Sequence, residues 1–279
     1  MIIDTHLHLI DRNALHYPWL DTVPPLDRDF THAEYAEEAR SLGIEAALHM
    51  EVDVAETDIE RETAHVERQA REAGSLLRGA IASCRPENAD FPLMLKRVLA
   101  NPFVRGFRRV LHVMPDDLSE SALFRENVGR LGATHLPFDL CVLPRQHGQA
   151  MALADHAPAT QFVLDHCGVP DIKSDAWEPW RTQITELARR PNIAAKISGV
   201  IAYADGENWT VETVRPYVEH VIACFGWDRV VWGSDWPVCR LGGGLTRWVH
   251  ATQALLSGAS EEERTKLLSA NARRIWRLN

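Results

Sequence analysis

No apolar run in this 279-residue sequence approaches the ~20 residues of a membrane span, so no transmembrane helix is expected. The five cysteines are odd in number and include no C-x-x-C pair, which excludes a disulfide framework or a zinc ribbon. The expected compartment is therefore the reducing cytoplasm. An excess of positive charge is also missing. Thirty Lys plus Arg stand against 39 Asp plus Glu, a formal net charge of −9 that argues against a nucleic-acid surface. The opening segment MIIDTHLHLID has neither the basic start nor the long apolar stretch of a signal peptide. No Ser/Gly linker, charge block or low-complexity tract divides the chain. What remains is a globular composition, 46% hydrophobic and 25% charged, with ample material for a core.

Short apolar runs alternate with charged helical stretches. Strands are predicted at 2–8, 45–51, 76–83, 104–112, 138–144, 161–167, 193–199 and 229–236. One begins about every 32 residues, the pace of repeated βα units. Their faces alternate little, as expected of a parallel sheet covered on both sides. Thr31 with Glu34 reads as a capping box before a helix that Gly43 stops, and a second helix is predicted over 58–74. A third covers 211–225, where Pro216 must lie near the first turn or kink it. Ser260 with Glu263 opens a last helix toward Trp276. Eight unbroken alternations predict a single (β/α)8 TIM barrel over residues 1–279, with an open doubly wound sheet as the alternative. Two connections are long and aromatic. Residues 9–30 carry Tyr17, Trp19 and Pro24–Pro25, and residues 200–210 carry Tyr203 and Trp209. Loops of this kind are expected to cover a site.

In such a barrel the chemistry lies at the C-terminal ends of the strands. The sequence puts His6 and His8 at the first end, His49 and Glu51 at the second, and Arg108 and His112 at the fourth. Arg145 and Gln146 follow the fifth, His166 ends the sixth, Lys196 lies in the seventh, and Asp235 with Trp236 ends the eighth. His6 and His8, two apart on a strand, point to one face and can share a metal ion or a substrate oxygen. With His166 and Asp235 they form a set that suits Zn²⁺ with an open position for water. Asp235 could equally act as a general base toward water attacking a polarised carbonyl. Of the adjacent Arg108 and Arg109 only one can face inward, and the parity shared with His112 favours Arg108. Lys196, in an otherwise apolar strand, needs a partner or a substrate. Cys167 is expected to point away from the site, and Cys239 to be structural.

On these residues the chain resembles the amidohydrolase superfamily, and within it the sugar-acid lactonases of the L-fuconolactonase and L-rhamnonolactonase kind. The resemblance runs through DTHLHLID, YPWL, GFRRVLH, FVLDHCGVP, AAKISGV and the block ending WGSDWPVC to NARRIW, nearly the whole chain. It implies a distorted TIM barrel that opens a sugar-acid lactone, a small-molecule partner rather than a nucleic acid or a membrane. His6, His8, His166 and Asp235 would hold one divalent metal, Zn²⁺, which is dispensable in some members. Asp235 and His166 would be catalytic. Glu51, Arg108, His112, Arg145, Lys196 and Trp236 would meet the substrate. The chain lacks the bridging lysine of the binuclear members, and it carries Ala202–Tyr203 where lactonase relatives have Thr-Glu. A non-oxidative decarboxylase of the same superfamily and a non-catalytic sugar-acid-binding barrel are the alternatives. The barrel is compatible with a homo-oligomer.

Overall fold

Each of the eight predicted runs forms a strand in the computed structural model, which describes residues 1–206 and 208–278. Glu207, in the second long connection, and Asn279, the last residue of the predicted domain, lie outside the described residues. The strands are β1 (Ile2–Leu7), β2 (Ile44–Met50), β3 (Leu77–Ser83), β4 (Val104–Val110), β5 (Phe138–Cys141), β6 (Phe162–Leu164), β7 (Ile193–Ile197) and β8 (Val230–Trp232). They pair in parallel in sequence order from β1 to β8. The order never reverses, which removes the doubly wound alternative. The ends of the sheet meet. The His8 N–H donates to the Trp236 carbonyl (2.8 Å), the Asp235 N–H to the His6 carbonyl (2.9 Å) and the Thr5 hydroxyl to the Trp232 carbonyl (2.7 Å). The predicted TIM barrel is the observed fold.

Period-2 alternation builds two apolar layers. Outward Phe107, Phe138, Phe162 and Ile197 pack beneath the surrounding helices. Inward Ile3, Leu48, Ile81, Val163, Ala194 and Val231 fill the barrel axis. The C-terminal helix (Asn271–Trp276) brings Ile275 and Trp276 against this column and seals the N-terminal end of the barrel. Fully burying a side chain of this class contributes ~1.5–3 kcal/mol. The functional groups are thereby confined to the opposite end.

Local signals are largely obeyed. Thr31 caps α1 (His32–Ser41) by accepting from the Glu34 N–H, but the Glu34 carboxylate turns to Arg28 and Arg240 instead of completing the box. The helix predicted over 58–74 is α2 (Ile59–Ala70). Ser260 and Glu263 do form a reciprocal box. Pro216 falls inside the helix Val211–Phe225.

Several strands end earlier than predicted, and this shapes the site. β6 stops at Leu164 and β8 at Trp232. His166 and Asp235 then adopt left-handed backbone, with φ of 53° and 56°. A residue other than glycine held there costs ~1–3 kcal/mol and persists only where its surroundings enforce it. The segments past these ends, DHCG and GSDWP, carry the glycine and proline of turns, signals that the predicted strands ran through.

Candidate active site

His6 and His8 reach the barrel interior through an irregularity. Strict alternation from inward Ile3 would send both outward, but the β1–β2 register shifts between Asp4 and Leu7. Leu7 consequently joins the outer layer. The buried Asp4 carboxylate braces the shift, accepting from the His6 N–H (3.0 Å), the Ser234 N–H (2.8 Å) and the Tyr35 hydroxyl (2.7 Å).

The two imidazoles meet as the spacing implies, with their Nε2 atoms 3.1 Å apart. Oδ1 of Asp235 lies 3.7 Å from Nε2 of His6 and 3.5 Å from Nε2 of His8. Nδ1 of His166 is 3.9 Å from Oδ2 of Asp235 and 3.0 Å from the Ser198 hydroxyl, and its ring centroid is 4.5 Å from that of His6. Four residues from three distant parts of the chain therefore share one point at the barrel mouth.

This donor set fits a divalent cation. In tetrahedral zinc sites with bonds of about 2.0–2.1 Å, ligand atoms stand roughly 3.3–3.4 Å apart. The triangle of His6, His8 and Asp235 has nearly those edges. The His8 Nδ1 lies 3.0 Å from the Met50 carbonyl, so that nitrogen carries the proton and Nε2 keeps its lone pair. Burial, reinforced by Arg108, lowers His8 to about 3. Burial and the Lys196 charge hold His6 well below the usual imidazole range, and burial lowers His166. The imidazoles are thus neutral, the state that binds metal. Burial pushes Asp235 up to about 6 against the opposing influence of His166, and its Oδ2 is buried with no hydrogen-bond partner among the described residues. His6, Asp165 and His166 form a second, overlapping cluster of ligand atoms.

Beneath these groups lies a charged floor. Lys196, fully buried, pairs with Asp139 and Asp165 (3.0 Å to the latter), and its Nζ lies 3.2 Å from Nδ1 of His6. Burial works against ionisation of Asp165, but Lys196 and His6 outweigh it and hold this carboxyl well below its ordinary value. Arg108 donates from Nε to the Glu51 carboxylate (2.6 Å) and from Nη2 to the Glu51 carbonyl (2.7 Å). Its Nη1 lies 3.5 Å from Asp165 and 3.3 Å from Nε2 of His6. Arg109 faces outward to Glu87 (2.9 Å), as parity predicts. Asp139 and Asp165 were not singled out from the sequence. The available signal was Lys196 itself, since a lysine in an apolar strand needs an acid on a neighbouring strand.

A cavity of about 310 Å³ opens above the floor. His8, His166, Asp235, Arg108 and His112 line it, and the long connections contribute Trp19, Thr22, Val23 and Tyr203, as expected of covering loops. His112 places Nδ1 3.0 Å from the Cys141 sulfur, and burial lowers it to about 4. Four residues expected to meet the substrate do not line this cavity. Lys196 is committed to the buried acids below. Glu51 is enclosed behind Arg108, which takes its carboxylate. Arg145 turns aside because Asp116 (3.1 Å) and the His112 carbonyl (3.1 Å) take its guanidinium. Trp236 is buried outside the barrel wall, its ring 5.4 Å from those of Phe30 and Tyr35. His49 faces outward to Glu62 on α2 (3.3 Å), and Gln146 donates to the Leu111 carbonyl (3.0 Å). Cys167 and Cys239 are buried in the outer core, as expected.

Comparison with known proteins gives a consistent result. The amidohydrolase family model matches residues 3–278. An L-fucono-1,5-lactonase of Burkholderia multivorans is 29% identical, with 99% of this chain and 96% of the relative covered. Its counterpart from Burkholderia ambifaria is 35% identical over 158 residues, 56% of this chain and 54% of that protein. An L-rhamnono-gamma-lactonase of Scheffersomyces stipitis is 22% identical, with 99% and 98% covered. A Burkholderia multivorans amidohydrolase crystallised with bound zinc has the same fold, with a TM-score of 0.89 and 24% identity over the whole of both chains.

Proposed function

The chain belongs to the amidohydrolase family, and from that premise we propose that it hydrolyses the lactone of a sugar acid to the open acid. The observation that carries the proposal is the convergence of His6, His8, His166 and Asp235 beneath a small-molecule-sized cavity. The lactonase names of relatives aligned along nearly the whole chain support the same reading.

Asp235 divides its two oxygens between two tasks. Oδ1 faces the His6 and His8 nitrogens, while Oδ2 has no hydrogen-bond partner among the described residues and can take the proton of a water attacking the lactone carbonyl. Such general-base help is worth ~10²–10⁴-fold. The same oxygen then returns the proton to the departing ring oxygen. His166, beside Oδ2, favours its ionised form. A divalent cation held by His6, His8 and Asp235, with zinc best suited to the donor set, would polarise the carbonyl as a Lewis acid. Asp165 and Lys196 hold His6 in place from below. A panel of sugar lactones followed by pH indicator, with and without chelator and alongside metal analysis, tests the proposal. Ring opening of at least one lactone is expected. Release of CO₂ from unsaturated acids with every lactone left intact would overturn it.

A further inference from the structure

The cavity contains a carboxylate to which the proposed chemistry gives no task. Asp53 lies just beyond β2 in left-handed backbone, with φ of 47°, and its N–H donates to Oε2 of Glu51 (2.9 Å). That bond fixes the turn and sets Asp53 in the cavity wall. Its side chain is half-buried and, among the described residues, makes no hydrogen bond or ion pair. A partly desolvated carboxylate is costly when unpartnered, and a ligand that brings hydroxyl donors would satisfy it.

Two further features define that ligand. Arg108 is the sole Lys or Arg lining the cavity among the described residues, and its guanidinium is already committed to Glu51, Asp165 and His6. Among the described residues the lining thus leaves no uncommitted Lys or Arg to receive a substrate carboxylate away from the reacting centre. One flank of the wall is apolar, with Val52, Val110 and Val113 beside Trp19. The Trp19 indole N–H donates to the Val52 carbonyl (2.8 Å), so the ring can offer only its carbon surface.

We propose that Asp53 is a specificity-determining residue that accepts hydrogen bonds from the hydroxyls of an uncharged lactone and repels lactones bearing a carboxylate. The inference rests on the lactonase reading and assigns the residue that sets its preference for charge. The polar edge meets Asp53, and the C–H edge meets the valines and Trp19.

The test uses a matched pair of substrates, a neutral aldonolactone and its counterpart with the terminal CH₂OH oxidised to a carboxylate. The wild-type protein is expected to prefer the neutral member by about a hundredfold or more in kcat/KM. Asp53→Asn, which keeps an acceptor and tolerates left-handed backbone, should narrow that preference to roughly tenfold or less, chiefly through a lower KM for the anion. Asp53→Ala should raise KM for the neutral lactone by about tenfold or more. If lactones open but Asp53→Asn leaves the ratio unchanged, or the wild type prefers the anion, this inference fails and the lactonase reading stands. If neither lactone of the pair opens, the wider panel decides the lactonase reading, and the pair serves as binding ligands. Calorimetric binding of the same pair then decides on Asp53, and equal affinities of the wild type and Asp53→Asn for the two ligands would overturn its role.

Discussion

A β-carbon on Gly199 would stand 2.4 Å from Nδ1 of His166 and 2.9 Å from Oδ2 of Asp235. Gly199 also has φ of +67°, where a side chain is strained in any case. Bare backbone just beyond β7 is thus what lets the imidazole and the carboxylate approach each other. Gly199→Ala should lower kcat/KM by about a hundredfold, the usual cost of an ångström-scale misplacement. Steady-state kinetics beside a thermal melt would separate this from unfolding, since a folded but slow protein is the expected result.

Asp235→Asn removes the proposed base while keeping its shape. Turnover should fall by ~10²–10⁴-fold. Stability should move the other way in metal-free protein. An unfolded aspartate ionises near ~3.9, whereas Asp235 in the folded chain is raised to about 6. The folded state therefore binds the proton more tightly, and the stability due to this group is lost as pH rises through that window. At neutral pH the Asn variant should melt higher than the wild type, and the gain should shrink on acidification. Calorimetric melts at neutral and acid pH check the sign.

The same raised value sets the pH profile. A base must be ionised to act, so kcat/KM of metal-free protein should rise with pH through an acid limb centred near 6. Bound cation favours the carboxylate and should move the limb to lower pH. Profiles measured before and after chelation make the comparison. A limb that does not respond to chelation would separate Asp235 from the metal.

Zinc binding should stabilise the folded protein, by roughly 2.7 kcal/mol when free metal is a hundred times its Kd. His6→Ala, His8→Ala and Asp235→Ala should each abolish most of the thermal shift. Arg145→Ala, which alters an ion pair on the outside of the barrel, should leave it intact.

Lys196→Met removes the cation that joins Asp139 and Asp165 in the barrel interior, leaving Asp165 to Arg108 at 3.5 Å. Breaking a buried pair from one side typically costs about 3–5 kcal/mol, here because Asp139 loses its partner. Denaturant unfolding should show a loss of that size. Lys196→Met combined with Asp139→Asn should recover part of it.

The sequence disclosed the barrel because its signal is repetitive. Eight apolar runs at even spacing can be read without knowing where any one of them ends. His6, His8, His166 and Asp235 were legible for a similar reason, each standing as a polar residue against an apolar background near a strand terminus. What escaped the reading depends on where the backbone departs from regularity. The β1 register shift that brings His6 inward leaves no mark in composition, and the turn residues around 166 and 235 were read as the ends of strands. Arg145 was misplaced because proximity to a strand end does not fix side-chain direction, and Asp116 outside the mouth takes it. Asp165 went unnoticed beside His166, although its tie to Lys196 forms part of the floor.

The junction between β1 and the segment after β8 is the seam at which the sheet closes. His6 and His8 stand on one side of this seam and Asp235 on the other, and backbone hydrogen bonds join the two sides. In the proposed site an ion held by all three would clasp the closed sheet across its last joint. Its removal should loosen that joint before any other part of the wall.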